Sequence, residues 1–364
     1  MKRRRLLAAA SLLPFAPWAI ASEFTDFMDA QEAGAKSLET EFEAYQAAYL
    51  REFESYKKDI EKEWDEARTS SPSTWVSYKD TKKSRTTLDY RENTIEVAIR
   101  ADDNPTPEKV AELVSEAMTK PASEAIKQDP ILHKVNKQAI IIGDILMSGI
   151  VLKKEAISEL VDQAKMLIDK DSKGEYVKVT VQLPEKAKTA RVRQFLPAVK
   201  KYSKEFKVEI PLVLAVIHTE SAFNPLAQSH VPAFGLMQIV PNSAGKDVQK
   251  LIYKRNHAPS SSMLFKPDIN IQHGCAYLHI LNYRYLKSIK NKAAREHCCI
   301  AAYNTGAGNV ARAFTGKTNV RTAAKIINRM SPDEVYLHLR ENLKYKEARD
   351  YVLRVNQHKS LYTV

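Results

Sequence analysis

Cysteine is scarce in this 364-residue chain, which has only Cys275, Cys298 and Cys299, all far from the N-terminus. A lipoprotein carries its lipid on a cysteine at the cleavage point of its leader, so the sequence predicts no such anchor. The adjacent pair Cys298 and Cys299 is poorly placed for a mutual disulfide, although either one pairs with Cys275 if their helices pack closely in an oxidising compartment. The alternative that we favour is three small core residues.

Long apolar runs are also missing, because no segment after residue 20 is long enough to predict a membrane-spanning helix. The N-terminus has basic residues at 2–5, an apolar stretch at 6–20 and a small-x-small pattern at 19–21. These are the parts of an export signal, so residues 1–21 are predicted to be removed. Paired arginines leave Sec and twin-arginine export both open. The expected location is the periplasm.

The sequence is also poor in acidic residues relative to basic ones, and its formal net charge is +12. A basic chain suits a polyanionic partner, but export leaves anionic cell-wall polymer more accessible than nucleic acid. We therefore predict no nucleic-acid partner and a basic surface that raises the local concentration of the wall. The alternative is that scattered lysines and arginines only keep the fold soluble.

An aromatic stripe begins the mature chain. Its members recur in steps of three and four residues, at Leu38, Phe42, Tyr45, Tyr49, Phe53, Tyr56, Ile60 and Trp64. This period keeps one face of a straight helix aligned, so the stripe predicts a long amphipathic helix. We expect a packing seam, with sugar stacking as the alternative.

The rest of the N-terminal half alternates between strand and helix patterns. Strands are predicted at 74–79, 86–90, 94–100 and 176–183, with a hairpin turn at Arg91, Glu92 and Asn93, and helices at 107–119, 123–150 and 154–169. Residues 22–184 therefore form an α+β domain, a small sheet with helices beside it. Because we find no paired carboxylates, metal cluster or phosphate loop there, a scaffold or wall-docking role is expected.

Residues 185–364 are predicted to form a second, mostly helical domain. Apolar spacing of the helical type recurs at 269–286 and 296–303, and Ser331 to Glu334 form a capping box.

One carboxylate in this second half is placed as a general acid would be. Glu220 ends a strongly apolar stretch that begins after Pro211, and Asn224 with Pro225 stops the helix. Partial burial and the negative end of the helix dipole both favour the protonated form, so Glu220 is predicted to donate a proton near neutral pH. The alternative is a surface glutamate at a helix end.

Three motifs decide between these alternatives. They are Glu220-Ser221, Gly235-Leu236-Met237-Gln238 and Ala302-Tyr303-Asn304, and the chain closes with Glu347-Ala348-Arg349-Asp350-Tyr351. This ordered set resembles the ES, GLMQ, AYN and E-x-R-x-Y motifs of the soluble lytic transglycosylase domain, a lysozyme-like fold that cleaves peptidoglycan. The front half is similar to the N-terminal domain of the membrane-bound lytic murein transglycosylase C group.

The resemblance implies a reaction without cofactor or metal. Glu220 would act as acid and then base on the bond between N-acetylmuramic acid and N-acetylglucosamine in glycan strands, leaving 1,6-anhydromuramoyl ends during wall turnover and remodelling. The substrate-binding residues that it implies are Ser221, Ser229, Met237, Gln238, Tyr303, Asn304 and Tyr351. Phe234 replaces a small residue and is expected to narrow the cleft. Peripheral association with the outer membrane or with wall complexes also follows from the resemblance.

Three other hypotheses remain. His218-x-Glu220 opens a zinc deaminase signature, but no P-C-x-x-C follows, which argues against a metal site. A goose-type lysozyme hydrolase would need a further carboxylate to hold water, and no motif supplies one. A catalytically inactive peptidoglycan-binding module would not need Glu220.

Overall fold

The computed structural model describes residue 44 and residues 46–135, 145–229 and 233–363. The predicted export signal and the first three members of the aromatic stripe lie outside the described residues. Within them, no helix combines the length and apolarity needed to cross a membrane.

The N-terminal half contains a five-stranded antiparallel sheet with the order β1-β2-β3-β5-β4. Its strands are β1 (Thr74–Lys79), β2 (Ser84–Asp89), β3 (Thr94–Arg100), β4 (Met166–Asp171) and β5 (Gly174–Gln182). The predicted hairpin turn between β2 and β3 is confirmed. Asp89 accepts hydrogen bonds from the backbone N–H groups of Arg91 and Glu92, each at 2.9 Å, which fixes the turn.

Helices flank this sheet. They are α1 (46–60), α2 (Pro107–Thr119), α3 (Ala122–Gln128), the single turn α4 (Leu132–Val135) and α5 (Lys154–Gln163). The expected α+β character of this half is confirmed, and the helix predicted at 107–119 is found at those residues.

Two predicted helices of this half are wrong in part. The helix expected at 123–150 ends at Gln128, because Pro130 favours an extended conformation at Asp129, which has φ −67° and ψ 119°. Residues 136–144 of this prediction lie outside the described residues. The helix expected at 154–169 ends at Gln163, and β4 follows as an edge strand. There, Met166 pairs with Val179 and Ile168 with Val177, so ladder formation with β5 overrides the helical spacing.

In the described part of the second half, every regular element longer than an isolated β-bridge is a helix. It comprises α6 (Glu185–Phe206), α7 (Ile210–Ser221), α8 (Lys246–Tyr253), α9 (Ser261–Leu264), α10 (Pro267–Ile280), α11 (Lys292–Thr305), α12 (Ala307–Thr315), α13 (Val320–Ile327), α14 (Pro332–Asn342) and α15 (Lys346–Tyr362). Short π-helical segments precede α8 and continue α10. The capping box that Ser331 and Glu334 predict at the start of α14 is confirmed.

The aromatic stripe packs where the structure describes it. Tyr49 joins the main core, while Ile60 and Trp64 form a small second cluster with Ala98. The guanidinium groups of Arg85 and Arg100 lie over the ring of Trp64, with their central carbons 4.6 and 4.1 Å from the ring centroid. The expected packing seam is therefore confirmed for these residues.

The main core runs without interruption from the sheet into the helical half. Its helical part includes all three cysteines, which are buried and free, so the prediction of core cysteines is confirmed. The domain boundary at residues 184 and 185 stays a prediction, although α6 does begin at Glu185.

A buried arginine forms hydrogen bonds between the two halves. Arg191 of α6 is 2% exposed and donates to Asn93 Oδ1 at 2.8 Å, to Tyr90 O at 3.4 Å and to Ser148 O at 3.2 Å. All three acceptors belong to the N-terminal half. Because the guanidinium fork is rigid, this set of contacts constrains how the hairpin turn lies on α6.

We expect Arg191→Ala to lower the free energy of unfolding by about 3 kcal/mol, because it leaves buried acceptors without donors. Urea denaturation followed by circular dichroism measures the change. Arg193→Ala is the matched control, since Arg193 is an exposed residue of the same helix. Equal effects of the two substitutions would contradict this account of the junction.

Candidate active site

Helix α7 carries the candidate acid. Pro211 lies in its first turn, and all six residues from Leu212 to Ile217 are at most 5% exposed, so the helix is enclosed by protein. It ends at Ser221 because Ala222 and Phe223 adopt left-handed conformations with φ 49° and 67°. Glu220 therefore lies in the last turn of a buried helix, as the sequence predicted.

Burial raises the pKa of the Glu220 carboxyl to about 8. Three residues of α15 modify this effect. The Tyr351 hydroxyl lowers the pKa, the charge of Glu347 raises it, and the charge of Arg354 lowers it by less than Tyr351 does. A pKa of about 8 keeps the proton on Glu220 near neutral pH, as a general acid requires, and its role as proton donor stays a prediction. The side chain as a whole is partly exposed, so it remains open to a ligand.

Two tyrosines from different helices lie near this carboxyl. The charge of Glu220 raises the pKa of Tyr303 on α11 and of Tyr351 on α15, beyond the larger effect of their burial. Tyr303 donates to Met237 O at 2.8 Å. The buried Tyr351 hydroxyl forms no well-aligned hydrogen bond with any described residue, yet it is near enough to Glu220 to stabilise the carboxylate. Both phenols are thus neutral groups beside the candidate acid.

Ser221 connects the acid helix to the loop that follows. Its hydroxyl is fully buried, 3.0 Å from Ile217 O and 2.8 Å from Leu236 O. This geometry favours a role in positioning the loop over direct contact with a ligand.

The loop from Gly235 to Gln238 is held from below by α10. Asn270 donates to Phe234 O at 2.7 Å and accepts from the Met237 N–H at 2.8 Å. Met237 is fully buried against Gly274, where an added Cβ would overlap the Met237 sulfur. Gly235 has φ 72°, and a side chain at this position would collide with Asn270 Nδ2 and Leu264 O, so the turn requires glycine.

Sequence reasoning missed Asn270 and Gly274. The available signal was an asparagine between Ile269 and Ile271 and a glycine in the middle of a helical pattern, since each needs a packing reason.

The remaining predicted residues are Gln238, Ser229 and Asn304. Gln238 has φ 45° and donates from Nε2 to Ala227 O at 3.0 Å and Gly235 O at 2.9 Å. Ser229 and Ala233 exchange hydrogen bonds at 3.3 Å on either side of residues 230–232. Asn304 is half-buried in the last turn of α11, next to Tyr303. Ser221, Gln238 and Tyr303 thus form hydrogen bonds within one loop, and Ser221 and Met237 are fully buried there.

The expectation that Phe234 narrows the cleft is wrong. Phe234 is fully buried and packs edge-on against Phe265, with ring centroids 5.4 Å apart. The side chain therefore fills the core below the loop.

Comparison with known proteins decides the family. The family model described as "Transglycosylase SLT domain" matches residues 197–326. Membrane-bound lytic murein transglycosylase C of Sodalis glossinidius is 33% identical over 310 residues, which cover 83% of this chain and 86% of that protein. Its counterpart in Yersinia pestis is also 33% identical, over 84% of this chain and 87% of that protein. The chain belongs to the lytic murein transglycosylases. Members of this family are lyases that act on peptidoglycan.

A solved structure gives a weaker likeness to this transglycosylase. The 70 kDa soluble lytic transglycosylase of Escherichia coli overlaps 46% of this chain and 23% of its own, at 26% identity and a TM-score of 0.35. A score of this size does not establish a shared fold. The residues matched by the family model include Glu220, Gln238, Tyr303 and Asn304 but end before Tyr351.

The raised pKa of Glu220 makes the stability of this transglycosylase depend on pH. An unfolded chain releases this proton near pH 4.5, whereas the folded protein keeps it up to about pH 8. Within that window the folded state binds more protons, so its stability falls as the pH rises.

We therefore expect Glu220→Gln to be more stable than the wild type by a few kcal/mol at pH 8, since each pKa unit corresponds to about 1.4 kcal/mol. The difference should shrink to near zero below pH 4.5. Urea denaturation of both proteins between pH 4 and pH 9 measures it. A constant difference across this range would show that Glu220 is not held in its protonated form.

Proposed function

We propose that this protein cleaves the β-1,4 bond between N-acetylmuramic acid and N-acetylglucosamine and leaves 1,6-anhydromuramoyl ends, in cell-wall turnover and remodelling. The observation that carries the proposal is Glu220, a carboxyl with a pKa of about 8 at the open end of a buried helix. A lysozyme-like arrangement of residues 185–364 is part of the same proposal.

In the first step Glu220 acts as a general acid. Because its pKa is raised, most copies carry a proton at neutral pH, and that proton passes to the glycosidic oxygen as the bond to the muramic anomeric carbon breaks. The N-acetylglucosamine side leaves as an alcohol. The anomeric carbon becomes oxocarbenium-like, and the neighbouring N-acetyl group stabilises it.

In the second step the same group acts as a base. Glu220, now ionised, takes the proton of the muramic C6 hydroxyl, and O6 attacks the anomeric carbon to close the 1,6-anhydro ring. The glutamate regains its proton and no water is consumed, so the atoms balance. Tyr351 and Arg354 assist between the two steps, since both stabilise the ionised carboxylate.

The other site residues hold the glycan in this proposal. Tyr303 and Asn304 bind the acetamido group, and Gln238 and Ser229 contact the sugars from the loop. Ser221 and Met237 act from beneath, because both are fully buried. The partner is the peptidoglycan strand, and the basic chain with net charge +12 favours approach to an anionic wall.

We expect Glu220→Gln to abolish release of anhydromuropeptides from sacculi while binding to the wall is retained. Mass spectrometry of the digested murein measures the first, and co-sedimentation measures the second. In the wild type, kcat/KM should fall as the pH rises through about 8, since the acid must be protonated. Persistent anhydro products from the variant would overturn the proposal, and a wild type that binds without cleaving would identify a binding module.

One observation favours hydrolysis as a second candidate function. Glu347 on α15 is an exposed carboxylate whose charge reaches Glu220, and a hydrolase needs such a group to activate water. The sequence motifs did not assign it this role.

We expect Glu347→Gln to leave the anhydro products in place and to shift the basic limb of the pH profile to lower pH, because a charge that raises the pKa of Glu220 is removed. The ratio of anhydro to reducing ends, measured by mass spectrometry, separates the two functions. Reducing ends that predominate in the wild type and vanish in this variant would assign hydrolysis.

A further inference from the structure

A cluster of aromatic rings lies behind the acid, on the side of α7 that faces α15. We call His218, Phe223, His358 and Tyr362 the histidine cluster. The rings of His218 and His358 stack with centroids 3.8 Å apart and planes 9° from parallel. Phe223 packs against His218 at 5.8 Å and Tyr362 packs against Phe223 at 6.4 Å. The cluster thus joins α15 to the helix that carries Glu220.

Hydrogen bonds define the orientation of the stacked rings. Thr219 Oγ1 donates its single hydrogen to Ala215 O at 2.8 Å, so it must accept from His358 Nδ1 at 2.9 Å. His358 therefore carries a proton on Nδ1. The Tyr362 hydroxyl lies 3.0 Å from His218 Nδ1. Two residues of α15, His358 and Tyr362, are in this way hydrogen-bonded to Thr219 and His218, which directly precede Glu220.

The same helix presents Tyr351 to the acid. Tyr351 and His358 are seven residues apart, which puts them on one face of α15 two turns apart. Between them, Val352 and Val355 are fully buried. A displacement of α15 along or around its axis would therefore move both contacts together.

The charged groups that face the histidine cluster are cations from several elements. Arg91 comes from the β2–β3 turn, Lys188 and Arg191 from α6, and Arg354 from α15. Burial, followed by the charge of His358 and those of Arg91, Lys188 and Arg191, lowers the pKa of His218 to about 4. Burial, Arg91 and Arg354 lower the pKa of His358. Both rings are thus neutral at neutral pH, the state in which they stack without mutual repulsion.

We propose that His358 is a positioning residue for the transglycosylase reaction, which holds α15 in register on α7 so that Tyr351 faces the Glu220 carboxyl. The inference rests on the proposed function of Glu220 as acid and then base. It assigns His358 no contact with the glycan. Of the α15 residues that act on Glu220, Tyr351 has the largest effect, and it lowers the pKa. Loss of register should therefore raise that pKa further.

We expect His358→Ala to lower kcat about tenfold or more and to move the basic limb of kcat/KM to higher pH, because a small misplacement of catalytic groups is costly. Tyr351→Phe should move the limb in the same direction. His358→Asn should restore much of the wild-type profile, since its amide N–H can donate to Thr219. Gln357→Ala, an exposed neighbour on α15, is the control and should behave as the wild type.

A second measurement separates this inference from the proposed function. The pH dependence of unfolding reports the pKa of Glu220 without any reaction. His358→Ala should extend the window in which stability falls with pH above pH 8. An unchanged window, or one displaced to lower pH, would overturn the positioning role even if activity were lost. An extended window in His358→Ala, together with a wild type that makes no anhydro products, would keep the link between His358 and Glu220 and refute the proposed function.

Discussion

The desolvation of one carboxyl group, that of Glu220, is the constraint on which the arrangement of the helical half depends. A carboxyl that is to keep its proton at neutral pH must be removed from water, yet it must also meet a ligand. The chain satisfies both requirements by enclosing α7 along its length and ending it at the site. The buried segment Leu212 to Ile217 holds the helix, and the left-handed residues after Ser221 end it one residue beyond Glu220.

The supports of this carboxyl are distributed over distant parts of the sequence. Tyr303 comes from α11 and Tyr351 from α15, and the loop at Met237 is fixed by Asn270 from α10. A single motif cannot supply such a set, because groups that surround a buried charge must approach from several directions. The same reasoning explains why Ser221 and Met237 are buried although they belong to family motifs. They hold the loop in place by hydrogen bonds from beneath it.

The N-terminal half is coupled to the site by hydrogen bonds as well as by the continuous core. Asn224, which follows the end of α7, donates to Pro72 O at 3.1 Å, and Arg191 donates to three acceptors of the N-terminal half. These donors reach their hydrogen-bond acceptors only when the two halves meet. The orientation of the sheet relative to α7 is therefore determined by polar groups that would be costly to leave unpaired.

The sequence by itself determined the features whose cause is local: the apolar helix whose last turn carries Glu220, the turn at Arg91 to Asn93 and the helix at Pro107 to Thr119. Tertiary structure decided the rest. Residues 166–171 became a strand because β5 offered unpaired backbone groups, and Phe234 entered the core because Phe265 lies opposite. Likewise, only packing of α15 on α7 brings His358 to Thr219 across 139 positions. The spacing of residues along a chain predicts which face of a helix or strand each one occupies, but not which distant element that face will pack against.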